Sequence, residues 1–245
     1  VVRMKEGTFH PQAVINIRRL PLDYIKEGQK ELRIGALTTL EEIFRSEVIN
    51  AYAPVLSDAA GKMGSPQIRN LGTIGGNIAN ASPAGDTVPP LFVHRATLIL
   101  RSQRGKRTIS ISHFFSGPGE SLMEKDELLT EVSLRKREKD ERWFFSKLGQ
   151  RRAMVISKVS VAFKGVFQRR RLTDVSIALG AVAPTVTYAQ RTARFLNSKP
   201  LDPELIDEAS RIIQDEAKPI SDIRSTSEYR RRMVGALLKQ GLLEL

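Results

Sequence analysis

The sequence contains no cysteine and only three histidines, His10, His94 and His113, spread along 245 residues. Without thiols the chain can form no disulfide, no thiolate zinc site and no iron–sulfur cluster on ligands of its own. Three distant histidines do not make a ligating cluster, so no metal site is expected. Redox chemistry on this chain would need an organic cofactor. No apolar run approaches the roughly 20 residues of a membrane helix, and no signal-peptide core opens the chain. A cytoplasmic protein with no membrane span is expected. A Ser-His-Asp set or a supported pair of carboxylates is also missing, so no catalytic residue is assigned.

Charge of one sign is in short supply as well: Lys and Arg number 39 against 27 Asp and Glu, a net charge of +12. Such an excess invites a nucleic-acid reading. The basic clusters at 135–137, 151–152, 169–171 and 230–232 are scattered, however, and aromatics make up only 6% of the chain. Single-strand binders need aromatic stacking platforms between their cations. No nucleic-acid partner is expected; solvated faces and acidic partner subunits account better for the arginines. With 41% hydrophobic and 27% charged residues, the chain has the composition of a globular protein. Its length suits one large or two modest domains.

What the chain does have is a glycine-rich, nearly uncharged segment at 64–91. It reads Gly64-Ser-Pro-Gln-Ile-Arg-Asn-Leu-Gly-Thr73-Ile74-Gly75-Gly76-Asn77-Ile78, then Ala-Asn-Ala-Ser-Pro-Ala-Gly-Asp86 and on to Leu91. Glycines at 72, 75 and 76 permit positive φ and close backbone approach. Successive N–H groups in such a turn can form a nest for phosphate without a formal cation. Thr73, Asn77 and Asn80 add neutral donors, and Asp86 is the single acid. A tight loop between core elements is the simpler alternative, and Asp86 then caps the turn before Pro89. The dinucleotide fingerprint and the P-loop are both absent.

This segment resembles the second flavin-binding segment of the FAD subunit of molybdenum hydroxylases. That family includes xanthine dehydrogenase and the aerobic carbon monoxide dehydrogenases. The resemblance implies that Thr73, Ile74, Gly75, Gly76, Asn77 and Ile78 wrap the FAD pyrophosphate and that Asp86 touches the ADP half. It further implies Met63 and Gly64 beside the cofactor, Leu129 against the flavin system, and Lys147 near the pyrimidine end of the isoalloxazine. By composition alone, Met63-Gly64 is a helix end, Leu129 a strand core residue and Lys147 an exposed lysine beside aromatics. The segments 146–162, 177–184 and 219–231 resemble the family too, so the likeness runs from about Val1 to the C-terminus. The pair Asp222 and Arg224 in the last of these reads as a structural ion pair locking the final helix.

Periodicity gives strands at 13–17, 31–36, 96–101, 107–111 and 127–134, with a hairpin-like connection at 23–30 and a turn at 116–119. Helices are expected at 39–47, capped by a hydroxyl with Glu41 and Glu42 in the first turn, at 54–63, and as one turn near Leu91. The charge-rich stretch 135–142 marks a seam. Strands at 155–168 and 172–182 then join through the arginine turn, followed by helices at 189–196, 203–216 and 227–241. Leu205, Ala209, Ile212 and Ile213 stripe the second of these helices and Met233, Leu237 and Leu238 the third.

The expected class is α+β. An incomplete FAD-binding domain of vanillyl-alcohol-oxidase type at 1–138 precedes a three-stranded antiparallel sheet with a three-helix bundle at 139–245. The family's earlier glycine motif, of the form Ala-Gly-Gly-Thr, is not found. Residues 1–5 resemble the stretch that follows it, so it is expected just upstream of Val1, the chain being a fragment or one that has lost the motif. The implied role is electron transfer through FAD, from the [2Fe–2S] clusters of a small partner to an external acceptor. Substrate oxidation would occur at the molybdenum cofactor of a large partner. The alternative is a truncated assembly subunit of the same complex that no longer binds FAD tightly.

Overall fold

Short helices fill residues 40–79 because a hydroxyl or a proline restarts the chain every few residues. The computed structural model describes residues 10–151 and 155–245, together with Met4 and Gly7. The rest of the motif-bearing stretch 1–5 and residues 152–154 lie outside the described residues. Helix α1 (Leu40–Arg45) is capped reciprocally: Thr39 Oγ1 accepts from the Glu42 N–H, and the Glu42 carboxylate accepts from the Thr39 N–H at 2.7 Å. The helix expected at 39–47 is therefore two. Ser46 ends α1 and its hydroxyl caps α2 (Glu47–Tyr52), because the side chain offers the free Ile49 N–H a local acceptor. Pro54 opens α3 (Pro54–Gly61), and Ser65 with Pro66 opens α4 (Pro66–Leu71). Thr73 opens α5 (Ile74–Ala79), and α6 (Val88–Val93) follows. The glycine-rich segment is thus helical in large part, not an open loop.

These helices cover one face of an antiparallel sheet. Its strands are β1 (Ile25–Glu27), β2 (Glu31–Gly35), β3 (Thr97–Ser102), β4 (Gly105–Ser110) and β7 (Leu128–Arg135), in the order β1-β2-β7-β3-β4. Register places Leu32 opposite Leu134 and both Ile34 and Leu98 opposite Val132, so the inward residues form one apolar layer. Against it pack Ile43, Ile49, Leu56, Ile74 and Ile78, all fully buried. Each such side chain contributes about 1.5–3 kcal/mol on burial. The turn expected at 116–119 joins β5 (Phe115–Gly117) to β6 (Glu120–Ser121), with Gly119 at φ +77°. The strand expected at 13–17 is irregular: Val14 and Ile15 are 72% and 83% exposed. No strand among the described residues pairs with that stretch, and without a partner alternating apolar residues bury nothing.

The second half forms another antiparallel sheet, from β8 (Glu141–Leu148), β9 (Val159–Gln168), β10 (Arg171–Gly180) and β11 (Thr187–Tyr188), in the order β11-β10-β9-β8. The two-residue β11 is a fourth strand beyond the three expected. It is too short to carry a periodicity, and it is held by pairing Tyr188 with Ala178. Arg169 and Arg170 turn the β9–β10 hairpin with φ of +50° and +63°, as a two-residue turn of type I′ requires. Helices α7 (Gln190–Leu196), α8 (Pro203–Glu216) and α9 (Ser227–Leu243) cover one face. There Ile206, Ala209, Ile213, Val234 and Leu238 pack on Val161, Phe163, Ile177 and Leu179. The alternate residues Ala162 and Ala178 turn to the other face and join the first core with Phe145 and Val186. The second sheet is therefore shared between both cores.

Candidate functional site

Asp86 sits between α5 and α6 and is 5% exposed. Its Oδ2 accepts from Lys147 Nζ at 2.7 Å and its Oδ1 from Ser157 Oγ at 2.6 Å. Lys147 lies on β8, its side chain only 10% exposed, so it is not a surface lysine. Burial pushes the Asp86 carboxyl up from its ordinary range, and the Lys147 charge and the two hydrogen bonds oppose that push. The capping alternative for Asp86 fails: both oxygens are turned to the second half, and Thr87 occupies the N-cap of α6 without a side-chain bond. Ser157, buried at 1% exposure, completes this polar set. Nothing in the local pattern singled it out, although a serine between Ile156 and Val159 was a visible polar break in an apolar run.

The glycine segment is held differently from a phosphate nest. The Ile74 N–H donates to the Thr38 carbonyl at 3.1 Å and the Gly75 N–H to the Ala36 carbonyl at 2.9 Å. The Gly76 N–H donates to Thr73 Oγ1 at 3.1 Å and the Asn77 N–H to the Thr73 carbonyl at 3.0 Å. All four donors are committed inside the chain, which corrects the reading of these groups as free. Positive φ is also not used at 72, 75 or 76: Gly72 has φ −73°, and the other two are helical. Gly75 is instead a close-approach residue, since a Cβ there would lie 2.6 Å from the Ala36 Cβ. Gly76 is exposed, and a Cβ there would meet only Thr73 Oγ1, at 3.0 Å. Asn77 Oδ1 accepts from the buried Thr87 hydroxyl at 2.7 Å, which leaves its amide nitrogen available as a donor.

The remaining predicted residues divide between a cleft and the core. A cleft of about 680 Å³ opens between the α3–α4 junction, β8 and α9, and Gly64 and Lys147 both line it. Gly64 carries the one positive φ of the segment's glycines, +48°. Met63, half-buried, precedes it, and Arg69 braces this corner by donating to the Gly61 carbonyl at 3.2 Å and to Glu41 at 2.7 Å. Ile74, Ile78 and Leu129 are core residues, none more than 4% exposed. Such residues can meet a ligand only through backbone or edge contact. Structure therefore brings Gly64 and Lys147 to one cleft, ties Asp86 to Lys147, and joins Asn77 to Thr87 beside Asp86. Among the described residues no cluster of His, Asp or Glu could hold a metal, and no helix is long and apolar enough to cross a membrane.

Residues 1–135 match the family described as the FAD binding domain in molybdopterin dehydrogenase. Residues 144–245 match the CO dehydrogenase flavoprotein C-terminal domain. The chain is 31% identical to the nicotinate dehydrogenase FAD-subunit of Eubacterium barkeri, over 100% of this chain and 84% of the relative. It is 30% identical to the glyceraldehyde dehydrogenase medium chain of Sulfolobus acidocaldarius, over 99% of this chain and 86% of the relative. A solved carbon monoxide dehydrogenase from Hydrogenophaga pseudoflava has the same fold at TM-score 0.95 and 28% identity, covering 99% of this chain and 84% of that one.

Proposed function

Because this chain belongs to the FAD-binding family of the molybdopterin dehydrogenases, we propose that it is the flavoprotein medium subunit of such a complex. Its α+β fold and its oxidoreductase character are those of the family. In this reading a large partner carries the molybdenum cofactor and a small partner carries [2Fe–2S] clusters. Electrons arriving from the small partner leave through this chain to an external acceptor. The complex would work in the cytoplasm, and the chain would divide near 138–139 into an FAD-binding and a C-terminal domain.

The observation that carries the reading is the buried Asp86–Lys147–Ser157 set, which draws the glycine-rich half and the second half to one polar point. Its residues fit a flavin. With FAD bound there, Lys147 would supply a cation to its electron-rich pyrimidine edge and Asp86 an acceptor for an N–H of the ligand, while Ser157 holds the carboxylate in place. Since Asp86 and Lys147 touch one another, both would serve the same end of an extended FAD, rather than the ADP half and the ring separately. The open face at Gly76 and the free Asn77 amide would lie along the phosphates, with Gly64 and Met63 flanking the ring. Bound FAD supplies the electron chemistry; the chain binds, orients and tunes it. Measuring the visible flavin absorbance of the purified protein before and after FAD addition tests this. A chain that stays colourless overturns it.

One observation favours the alternative, an assembly subunit that does not retain FAD. The four N–H groups at 74–77 are already bonded within the chain. Co-expression with the large and small subunits separates the two: a stable complex without flavin supports the alternative, and flavin-dependent reduction of a dye supports the first reading.

A further inference from the structure

We propose that a cavity of about 370 Å³ beside the turn at Asp222 binds a small organic monocarboxylate with an apolar body. Its charged wall is built around one acid. Arg230, on α9 and 3% exposed, donates through Nη2 to Asp222 Oδ1 at 2.5 Å and through Nη1 to the Ala181 carbonyl at 3.1 Å. Its Nε is buried without a partner among the described residues. Arg224 donates to Asp222 Oδ2 through Nε at 3.0 Å and Nη2 at 2.7 Å, and its side chain stays 40% exposed. The Arg224 and Ser225 N–H groups also donate to Asp222 Oδ1, at 2.9 and 3.2 Å. The carboxylate is therefore saturated, while Arg224 Nη1 remains uncommitted among the described residues. Two guanidiniums share one carboxylate, so the wall keeps one positive charge.

Apart from Ser82, the other walls are apolar and stiff. Pro83, Pro118 and Pro184 line the cavity with Ala183, and Ile220, 68% exposed, stands among them. Prolines fix φ, and the Pro83 carbonyl is tied to the Ala181 N–H at 2.8 Å, so the space is largely preformed. A carboxylate can accept from the uncommitted Arg224 Nη1 and cancels the single excess charge. Inorganic phosphate would bring a second charge and more oxygens than the Ser82 hydroxyl and a proline- and alanine-lined wall can satisfy. A neutral alcohol of the same body would leave the arginine charge unanswered.

The test titrates the full chain with benzoate by calorimetry, with benzyl alcohol and inorganic phosphate as controls. Benzoate should bind at least about tenfold more tightly than either control. Arg224→Gln, which removes the charge, and Ala183→Leu, which fills the cavity, should each weaken benzoate by about tenfold or more. Should Arg224→Gln fail to fold, Ala183→Leu decides alone. Equal affinity for benzyl alcohol, no benzoate binding at millimolar concentration, or affinity untouched in the folded variants would each overturn the assignment.

Discussion

Lys147 Nζ lies 2.7 Å from Asp86 Oδ2, across 61 residues of sequence, with both side chains at or below 10% exposure. A buried pair of this kind is weak evidence for net stability, because desolvation of both charges offsets their attraction. Removing one partner is costly, since it strands the other. Lys147→Met should therefore lower unfolding free energy by about 3–5 kcal/mol. The double variant with Asp86→Asn should lose less than the sum of the single losses. Urea unfolding of all four proteins measures this; strictly additive losses would mean that the two side chains do not interact.

Gly75 and Gly76 should respond differently to an added methyl. A Cβ at 75 collides with Ala36, whose carbonyl would lie at 2.7 Å, so Gly75→Ala should destabilise by about 1–3 kcal/mol. At 76 the Cβ has room once Thr73 shifts slightly, and Gly76→Ala should leave the thermal midpoint nearly unchanged. Gly76→Val, bulkier on the open face, should keep the chain folded and strip it of flavin. Flavin absorbance alongside thermal unfolding separates the two effects. Full flavin occupancy in Gly76→Val would limit this turn to a structural part.

Asn77→Ala should cost about 1–3 kcal/mol, because it leaves the fully buried Thr87 hydroxyl without its acceptor. Pairing it with Thr87→Val should recover part of that loss by deleting the orphaned donor. Denaturant midpoints of the single and double variants report the outcome. No recovery would show that Asn77 acts by something other than this bond.

His94 predicts an acid sensitivity. It is 2% exposed, and neither ring nitrogen has a hydrogen-bond partner among the described residues. Burial, helped by the Lys164 charge, pushes its pKa down from 6.5 to about 3. The unfolded chain thus binds a proton that the folded chain refuses throughout that interval. Stability is fully present above the unfolded value and falls as pH drops towards the folded one, by up to about 1.4 kcal/mol per pH unit. His94→Leu should flatten this acid limb and hold or raise stability at neutral pH. A stability–pH curve that keeps its slope in the variant would assign the acid loss to other groups.

Much of the fold is legible in the sequence because the periodic segments are long. The strands near 96–101, 107–111 and 127–134 and the three C-terminal helices lie where alternation and apolar stripes put them. The stretch at 13–17 misleads because alternation says nothing about a neighbouring strand. Ser46 was hidden because a hydroxyl inside an apolar-spaced run can as easily face solvent as end one helix and cap the next. In the site, Asp86 and Lys147 stood out singly, but their mutual bond and Ser157 arise only when β8 folds back on the 80–87 turn. The accounting of N–H groups at 74–77 was equally invisible. Two of their acceptors are the carbonyls of Ala36 and Thr38, nearly forty residues earlier in the chain.

The sharing of one interior by both halves governs how this protein can move. Phe145, Ala162, Ala178 and Val186 belong to the same apolar cluster as Leu56, Ile74 and Leu98. Pulling the halves apart would drag those side chains into water, so the seam behaves as a weld and not as a hinge. The alignment of Asp86 with Lys147 is inherited from that weld.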